Sequence, residues 1–143
     1  MSDRNLILIR GIPGSGKTTL ASSLRRESME TVYHYEADMY FMRDGEYCFD
    51  RTKLRQAHAW CQESTEQALF HGYNAIVSNT FTTCKELKPY FQMIQKYGKQ
   101  PTVYHCQSNW GSIHGVPDDV LAAMCERFEY DLTPLFEMLP EKG

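Results

Sequence analysis

The sequence lacks the features that identify an exported or membrane-inserted protein. Only four apolar residues, Leu6 to Ile9, precede Arg10 and Gly11, and this run is too short for a signal peptide or a membrane span. The five cysteines are scattered and form no CxxC pair, so neither a disulfide framework nor a zinc site is indicated. We therefore expect a protein of the reducing cytoplasm that does not enter a membrane.

An excess of positive charge is also missing. The 143 residues carry a formal net charge of −3. A protein that coats nucleic acid or acidic membranes without specificity needs many phosphate contacts from Lys and Arg, so the composition argues against that class and leaves room only for a local basic patch. The length and the 42% hydrophobic content fit one globular domain over residues 1–143.

Strand-like and helical patterns alternate along the chain. Short apolar or β-branched runs predict strands, and apolar residues at helical spacing predict helices between them. The predicted strands are 6–9, 31–36, 75–77 and 102–106, and the predicted helices lie around 20–26, over 52–71, from a capping box at Thr83 to Ile94, and after Pro117. Pro89 should kink or split the third helix. The alternation predicts a three-layer α/β fold with a central parallel sheet of four to five strands.

The stretch LIRGIPGSGKTTLA, residues 8–21, contains the most specific motif of the chain. It fits the pattern G-x-x-x-x-G-K-[ST], in which backbone N–H groups at a helix N-terminus bind phosphate, the Lys reaches the outer phosphates and the hydroxyl ligates Mg²⁺. The predicted strand before the loop and the predicted helix after it supply the context that this motif requires. The candidate nucleotide-binding residues are Gly11, Pro13, Gly14, Ser15, Gly16, Lys17, Thr18 and Thr19.

Further candidates follow the predicted strands, because a nucleotide site forms at the carboxyl ends of a parallel sheet. Asp38 follows the second strand, where a carboxylate can accept the proton of an attacking hydroxyl or bind metal beside Thr18; capping of residues 39–41 is the alternative. Asn79 closes the third strand, where an amide can bind phosphate, but turn formation and capping explain it equally well. His114 precedes the last helix, either beside a phosphate or in a plain loop.

Basic and aromatic side chains are mixed in the segment after Asp38. Arg43 and Arg51 are the candidate substrate-binding residues, since cations hold the phosphates of a nucleic-acid strand while nearby rings stack on its bases. The rings are those of Tyr40, Phe41, Tyr47 and Phe49. A solvated helix start over aromatic core residues is the alternative interpretation.

Taken together, these segments resemble a known family. The arrangement of RGIPGSGKTTLA, EADMYF, FDRTKLRQAHAWC, IVSNTF, ELKPY and HGVPDDVLAAMCERFE is similar to the P-loop kinase domain of phage-type polynucleotide 5′-kinases. Within that group it is most similar to short stand-alone bacterial and phage proteins called AAA-family or ATP-binding proteins. The resemblance implies an adenylate-kinase-like P-loop NTPase fold, ATP and Mg²⁺ as cofactors, and γ-phosphate transfer to a hydroxyl. It also implies that Asp38 is the general base and that Lys17 and Thr18 hold phosphate and metal.

The sequence departs from that family in three places. Phe41 stands where phage polynucleotide kinase has an arginine that binds the substrate phosphate. No Lys or Arg lies between Lys99 and Arg127, so the usual lid arginine is absent, and such an arginine is worth about 10³ to 10⁵ in rate. The third strand ends without its usual acidic residue, because Ser78 to Thr80 are uncharged.

We therefore expect an ATP-dependent phosphotransferase that acts on a nucleic-acid end or a related hydroxyl. A small-metabolite kinase is a second interpretation, which the acidic net charge suits. A third is a nucleotide-holding regulator or weak ATPase that acts on a partner protein and in which the missing lid arginine reflects lost transfer. The sequence does not identify that partner.

Overall fold

Strands and helices alternate through most of the computed structural model, which describes residues 5–107 and 118–139. The strands are β1 (Asn5–Arg10), β2 (Val32–Tyr35), β3 (Met42–Arg43), β4 (Glu46–Tyr47), β5 (Asn74–Ser78) and β6 (Gln100–His105). The α-helices are α1 (Lys17–Glu27), α2 (Leu54–Phe70), α3 (Cys84–Tyr97), α4 (Asp118–Arg127) and α5 (Thr133–Glu137). Two 3-10 turns, Ala37–Phe41 and Arg51–Lys53, precede β3 and α2.

Four of the strands form one parallel sheet in the order β2-β5-β1-β6. β1 lies in the interior, with Leu8 opposite Val77 of β5 on one side and Val103 of β6 on the other. β5 is buried along its whole length, as expected of a parallel strand whose two faces are both covered by helices. The predicted α/β fold with a four-stranded parallel sheet is confirmed, and each strand lies within two residues of its predicted ends.

Alternate residues of β1 point to opposite faces of the sheet and so divide the core in two. Leu8 packs with Phe91 of α3 in a cluster that also contains the buried side chains of α2. Ile9, the next residue, packs with Ala21 of α1. The sheet is therefore a middle layer, with α1 on one face and α2 and α3 on the other.

Local sequence explains how the long helices begin. Before α2, Asp50 caps the 3-10 turn by accepting a hydrogen bond from the Thr52 backbone N–H at 3.0 Å, so the α-helix starts at Leu54, two residues after the predicted start. The predicted capping box of α3 is present: Thr83 accepts from the Glu86 backbone N–H, and the Glu86 carboxylate accepts from that of Thr83. None of the helices in residues 5–107 and 118–139 is both long and apolar enough to cross a membrane.

Pro89 does not split α3, contrary to the expectation from sequence. The helix runs without interruption over Cys84–Tyr97. Proline in a helix interior removes one hydrogen bond and costs about 3 kcal/mol, but the carbonyl that loses its partner belongs to Lys85, an exposed residue of the first turn. The capping box and the fully buried Leu87 and Phe91 hold the helix on both sides of the proline.

The sequence patterns do not predict the antiparallel hairpin of β3 and β4. Its strands have two residues each, with Met42 opposite Tyr47 and Arg43 opposite Glu46, so no alternating pattern is long enough to be recognised. The turn residues Asp44 and Gly45 have φ values of 52° and 81°. Asp-Gly is a residue pair that favours the two-residue turn with both φ angles positive, and this dipeptide was the available signal.

A buried arginine at the end of β1 fixes the segment that follows β5. Arg10 is 1% exposed, and its Nε and one Nη donate to the Phe81 carbonyl at 3.0 and 2.7 Å. The guanidinium lies 4.3 Å from the centroid of the Phe128 ring, on which His105 of β6 also stacks. Arg10 thus holds together three segments at the carboxyl edge of the sheet, including Phe81 at a φ of 47°.

We expect Arg10→Met to lower the free energy of unfolding by about 2 to 4 kcal/mol, because the buried Phe81 carbonyl loses its donors. Urea unfolding followed by circular dichroism measures the change. Arg25→Met, which alters an exposed arginine in the last turn of α1, is the control and should change the stability by no more than about 0.5 kcal/mol. Equal stability of the two variants would contradict this role of Arg10.

Candidate active site

The glycine-rich loop lies between the end of β1 and the start of α1, as its motif requires. Its first residue is tied to the segment after β5, since the Gly11 N–H donates to the Thr80 carbonyl at 3.2 Å. Gly14 and Gly16 have φ values of 80° and 94°, a region that L side chains adopt at a cost. Ser15 is buried at the centre of the loop. The loop therefore has the strand, turn and helix geometry that cradles phosphate.

Gly11 is required for a steric reason. A Cβ atom at this position would collide with the Ser15 hydroxyl and lie 2.7 Å from the Cys106 carbonyl oxygen. That carbonyl is backbone and cannot swing away, so a larger residue must push the loop or the end of β6 out of place.

Lys17, the first residue of α1, turns back over the loop. Its Nζ donates to the Gly11 and Ile12 carbonyls at 2.9 and 3.0 Å. Burial lowers the pKa of Lys17, and the charges of Glu36 and Asp38 act in the opposite direction. The two carbonyl contacts are ones that a lysine can exchange for the oxygens of a bound phosphate.

Glu36 is the site residue that sequence reasoning missed. It follows β2 directly and is bonded to Thr18, whose hydroxyl donates to Oε1 at 2.7 Å. The Ser78 hydroxyl at the end of β5 donates to the same oxygen at 2.8 Å, and His34 Nε2 lies 3.2 Å from it. Burial acts to raise the pKa of Glu36, but these hydrogen bonds outweigh it and hold the pKa below its usual value. An ionised carboxylate therefore lies directly behind the candidate metal ligand.

The sequence feature that could have identified Glu36 as a site residue is its position directly after the second strand. The prediction counted residues 31–36 as strand, whereas β2 ends at Tyr35 and Glu36 is extended but unpaired, as the N-cap residue of the next turn. A carboxylate that immediately follows a parallel strand belongs to the edge where phosphate and metal bind. Attention to the strand end, and not only to the residue two places later, would have identified it.

Asp38 lies in the first turn of the 3-10 segment Ala37–Phe41 and is exposed. The alternative in which it caps residues 39–41 is wrong, because Glu36 is the N-cap and its carbonyl accepts from the Met39 N–H. Tyr47 of the hairpin donates its hydroxyl to Asp38 Oδ1 at 3.3 Å. Burial and then the Asp38 charge raise the pKa of Tyr47 to about 12, so the phenol stays protonated and continues to donate.

Asn79 is buried, and its amide makes contacts within the protein at this edge of the sheet. Its Oδ1 accepts from the Ala37 N–H at 2.9 Å, and its Nδ2 lies 3.7 Å from Cys61 Sγ. The amide thus fixes the start of the turn that presents Asp38, and its contacts within the protein leave the predicted contact with phosphate untested. His114, the other candidate, lies outside the described residues.

The candidate substrate residues lie on exposed surface in the hairpin and in the turn before α2. Arg43 lies in β3 and Arg51 in the second 3-10 turn, and both are exposed. Phe41 is 2% exposed and belongs to the core, in contact with the rings of Tyr47 and Phe49. Tyr47 and Phe49 stack on each other and are about half exposed. Of the four rings in this segment, Phe41 is in the core, Tyr40 is partly buried against Phe41 and Trp60, and Tyr47 and Phe49 are about half exposed.

The described residues include no group of three or more His, Cys, Asp or Glu side chains that could hold a metal ion by themselves. Such a cage is not needed for Mg²⁺, which keeps several waters and is bound through one or two protein side chains together with substrate phosphates. Thr18 and Glu36, joined by their hydrogen bond, fit that mode of binding. Among the described residues, no hydrogen bond joins Thr18 to Asp38, the pair expected from sequence to bind the metal.

Comparison with known proteins identifies the domain. A family described as AAA domain matches residues 6–115. NEDD4-binding protein 2 from Homo sapiens is 32% identical over a 135-residue alignment, and the match covers 87% of this chain and 8% of that protein. The chain therefore spans only a small part of the length of this curated relative.

Solved structures share the fold at low identity. The Pnkp1/Rnl/Hen1 RNA repair complex superposes with a TM-score of 0.61 at 16% identity, over 98% of this chain and 47% of that chain. The APS kinase CysC of Mycobacterium tuberculosis superposes with a TM-score of 0.57 at 14% identity, over 95% of this chain and 99% of that chain. These similarities show the fold, which is that of P-loop kinases.

We expect Gly11→Ala to weaken ATP binding at least tenfold, about 1.4 kcal/mol, because the added methyl group displaces the loop. Isothermal titration calorimetry measures the affinity. Gly98→Ala is the matched control: Gly98 also has a positive φ, 63°, but open space around its Cβ position, and it lies at the far end of α3. An unchanged affinity in Gly11→Ala would show that the loop does not hold the nucleotide.

Proposed function

The chain belongs to the AAA domain family, and we propose that it is an ATP-binding phosphotransferase of the polynucleotide-kinase type. Its acceptor in this proposal is the 5′-hydroxyl of a DNA or RNA end. The P-loop kinase fold supports phosphoryl transfer in general. The observation that carries the proposal is the exposed carboxylate of Asp38 in the turn that directly follows β2, at the carboxyl edge of the sheet, because a kinase needs a base next to the phosphate that it transfers.

The P-loop supplies the nucleotide side of the reaction. The backbone N–H groups of Gly14 and Gly16 and the N-terminus of α1 bind the phosphates, and Lys17 exchanges its carbonyl partners for phosphate oxygens. Thr18 contributes its hydroxyl to Mg²⁺, which when bound neutralises the charge of the β- and γ-phosphates. These are the groups that stabilise charge while the phosphoryl moves.

Asp38 supplies the acceptor side. Its carboxylate accepts the proton of the attacking hydroxyl as that oxygen bonds to the γ-phosphorus and the bond to ADP breaks. The Tyr47 hydroxyl and the turn held by Asn79 keep the carboxylate in place. Because Asp38 is exposed, an acceptor as large as a polynucleotide end can reach it.

The hairpin supports a nucleic-acid acceptor. The stacked rings of Tyr47 and Phe49 are about half exposed, and Tyr47 contacts Asp38. Stacking of a base on an aromatic side chain is worth about 1 to 3 kcal/mol. Arg43 and Arg51 are exposed, and in the proposal they pair with the backbone phosphates. The acceptor is therefore held by rings and cations, without an arginine at the position of the buried Phe41.

A nucleotide-holding regulator is the second candidate, and the lack of Lys or Arg between Lys99 and Arg127 favours it. Without an arginine to stabilise the transferring phosphoryl, transfer is slower by about 10³ to 10⁵. A regulator binds ATP tightly and turns it over negligibly. A small-metabolite kinase would instead transfer phosphate to a small alcohol and ignore oligonucleotides.

We expect Asp38→Asn to reduce transfer of labelled γ-phosphate from Mg·ATP to 5′-hydroxyl oligonucleotides by about 10² to 10⁴, the usual contribution of a general base, while the ATP affinity stays within about twofold. Asp44→Asn is the matched control, since Asp44 lies in the hairpin turn at a positive φ that Asn tolerates. Lys17→Ala should lose both binding and transfer. Wild-type protein that binds ATP but labels no oligonucleotide would contradict the proposed acceptor.

We expect Arg43→Ala and Arg51→Ala to weaken oligonucleotide binding. Each should reduce the slope of log affinity against log salt by roughly 0.7, because binding with one phosphate contact fewer releases fewer counterions. Fluorescence anisotropy at several salt concentrations measures the slope. Arg25→Ala, at the exposed end of α1, should leave it unchanged. If all three variants kept the wild-type slope, these arginines would not contact the acceptor.

A further inference from the structure

The candidate Mg²⁺ site beside the P-loop lacks the acidic residue that is usual at the end of the third strand. In P-loop NTPases Mg²⁺ is held by the loop hydroxyl together with an acidic residue, and in many of them that residue ends the third strand of the chain. Here the strand is β5, and it ends in Ser78, followed by Asn79 and Thr80. None of these three side chains can supply the negative charge.

The neighbouring strand supplies a carboxylate at the same level. β2 pairs with β5 in parallel, with Tyr35 opposite Val77, so the next residue on each strand, Glu36 and Ser78, also meet. The Ser78 hydroxyl donates to Glu36 Oε1 at 2.8 Å. The acidic group therefore lies one strand across the sheet from the end of β5, and Ser78 at that end is its hydrogen-bond donor.

We propose that Glu36 is the acidic residue of the Mg²⁺ site, acting through Thr18 and through the water ligands of the ion. The Thr18 hydroxyl has one hydrogen and gives it to Oε1 at 2.7 Å, so the lone pairs of the hydroxyl oxygen are left for the cation. All the hydrogen bonds that Glu36 accepts among the described residues go to Oε1. Oε2 is therefore the oxygen available to metal-bound water.

His34 and Ser78 are positioning residues for this carboxylate. His34 Nε2 lies 2.7 Å from the Ser78 hydroxyl and 3.2 Å from Glu36 Oε1. Because Ser78 gives its only hydrogen to Glu36, Nε2 must carry the hydrogen of the contact with Ser78. His34 and Ser78 therefore fix one carboxylate oxygen, as outer partners commonly do for groups around a metal ion.

This inference rests on the Mg·ATP part of the proposed function and not on transfer to an acceptor. The test is accordingly a binding measurement: titration calorimetry of ATP with wild-type protein and Glu36→Gln, in Mg²⁺ and in EDTA. We expect Glu36→Gln to reduce the Mg²⁺-dependent gain in ATP affinity about 10- to 100-fold. In EDTA its affinity should equal or exceed that of the wild type, because a negative charge near the phosphates has been removed. Glu27→Gln, an exposed residue at the end of α1, is the control.

Two further variants separate metal binding from folding. Glu36→Asp keeps the charge and should restore part of the Mg²⁺-dependent gain, whereas a purely structural defect would not be relieved by the shorter acid. Ser78→Ala removes one positioning donor and should lose a smaller share of the gain, which keeps the inference testable if Glu36→Gln does not fold. A full Mg²⁺-dependent gain in both Glu36→Gln and Ser78→Ala, or in Ser78→Ala alone if Glu36→Gln is unfolded, would overturn the inference.

The outcomes also distinguish this inference from the proposed function. A wild-type protein that gains affinity with Mg²⁺, loses the gain in Glu36→Gln and transfers no phosphate would support the role of Glu36 and contradict the proposed transfer. Transfer to oligonucleotides by the wild type, with an unchanged Mg²⁺-dependent gain in ATP affinity in Glu36→Gln, would support the proposed transfer and contradict the role of Glu36. If the wild type showed no Mg²⁺-dependent gain, the role of Glu36 would be overturned regardless of transfer.

Discussion

β1 lies between β5 and β6 and pairs with both over its length. Leu6 to Ile9 in the middle of β1 are apolar, and the polar side chains that follow the parallel strands lie at one edge of the sheet. The hydrogen bonds that continue the pairing beyond the strands, from Gly11 to Thr80 and from Cys106 to the Arg10 carbonyl, bring the loop and its neighbours to that edge. The phosphate loop, the Glu36 carboxylate and the turn of Asp38 all depend on this arrangement.

The core and the strand order follow from features that are visible in the sequence. Leu6 to Ile9 form a run that only a strand covered on both faces can bury, and the helix of the loop motif must follow it. The capping box at Thr83 fixes the start of α3 for local reasons. Long-range packing decided the rest. It keeps α3 whole through Pro89, and it buries Arg10 against backbone carbonyls that no sequence pattern places nearby.

The candidate site was predictable where the chemistry is local and not where it is shared between strands. The loop residues are contiguous, so their spacing alone identifies them. Glu36 and Ser78 are far apart in sequence and meet only because β2 and β5 are paired in register. Asn79 also meets its partner only through the fold: its Oδ1 accepts from the Ala37 N–H, which fixes the turn of Asp38. Its predicted contact with phosphate stays a prediction.

The most direct test of phosphoryl transfer to a nucleic-acid end is a crystal structure with Mg²⁺, a non-hydrolysable ATP analogue and a 5′-hydroxyl dinucleotide. The proposed function predicts an acceptor oxygen about 2.6 to 3.2 Å from an Asp38 carboxylate oxygen and about 3 to 3.5 Å from the γ-phosphorus. A nucleotide bound on the loop, with the dinucleotide absent from the Asp38 side or its 5′-hydroxyl turned away from Asp38, would contradict it.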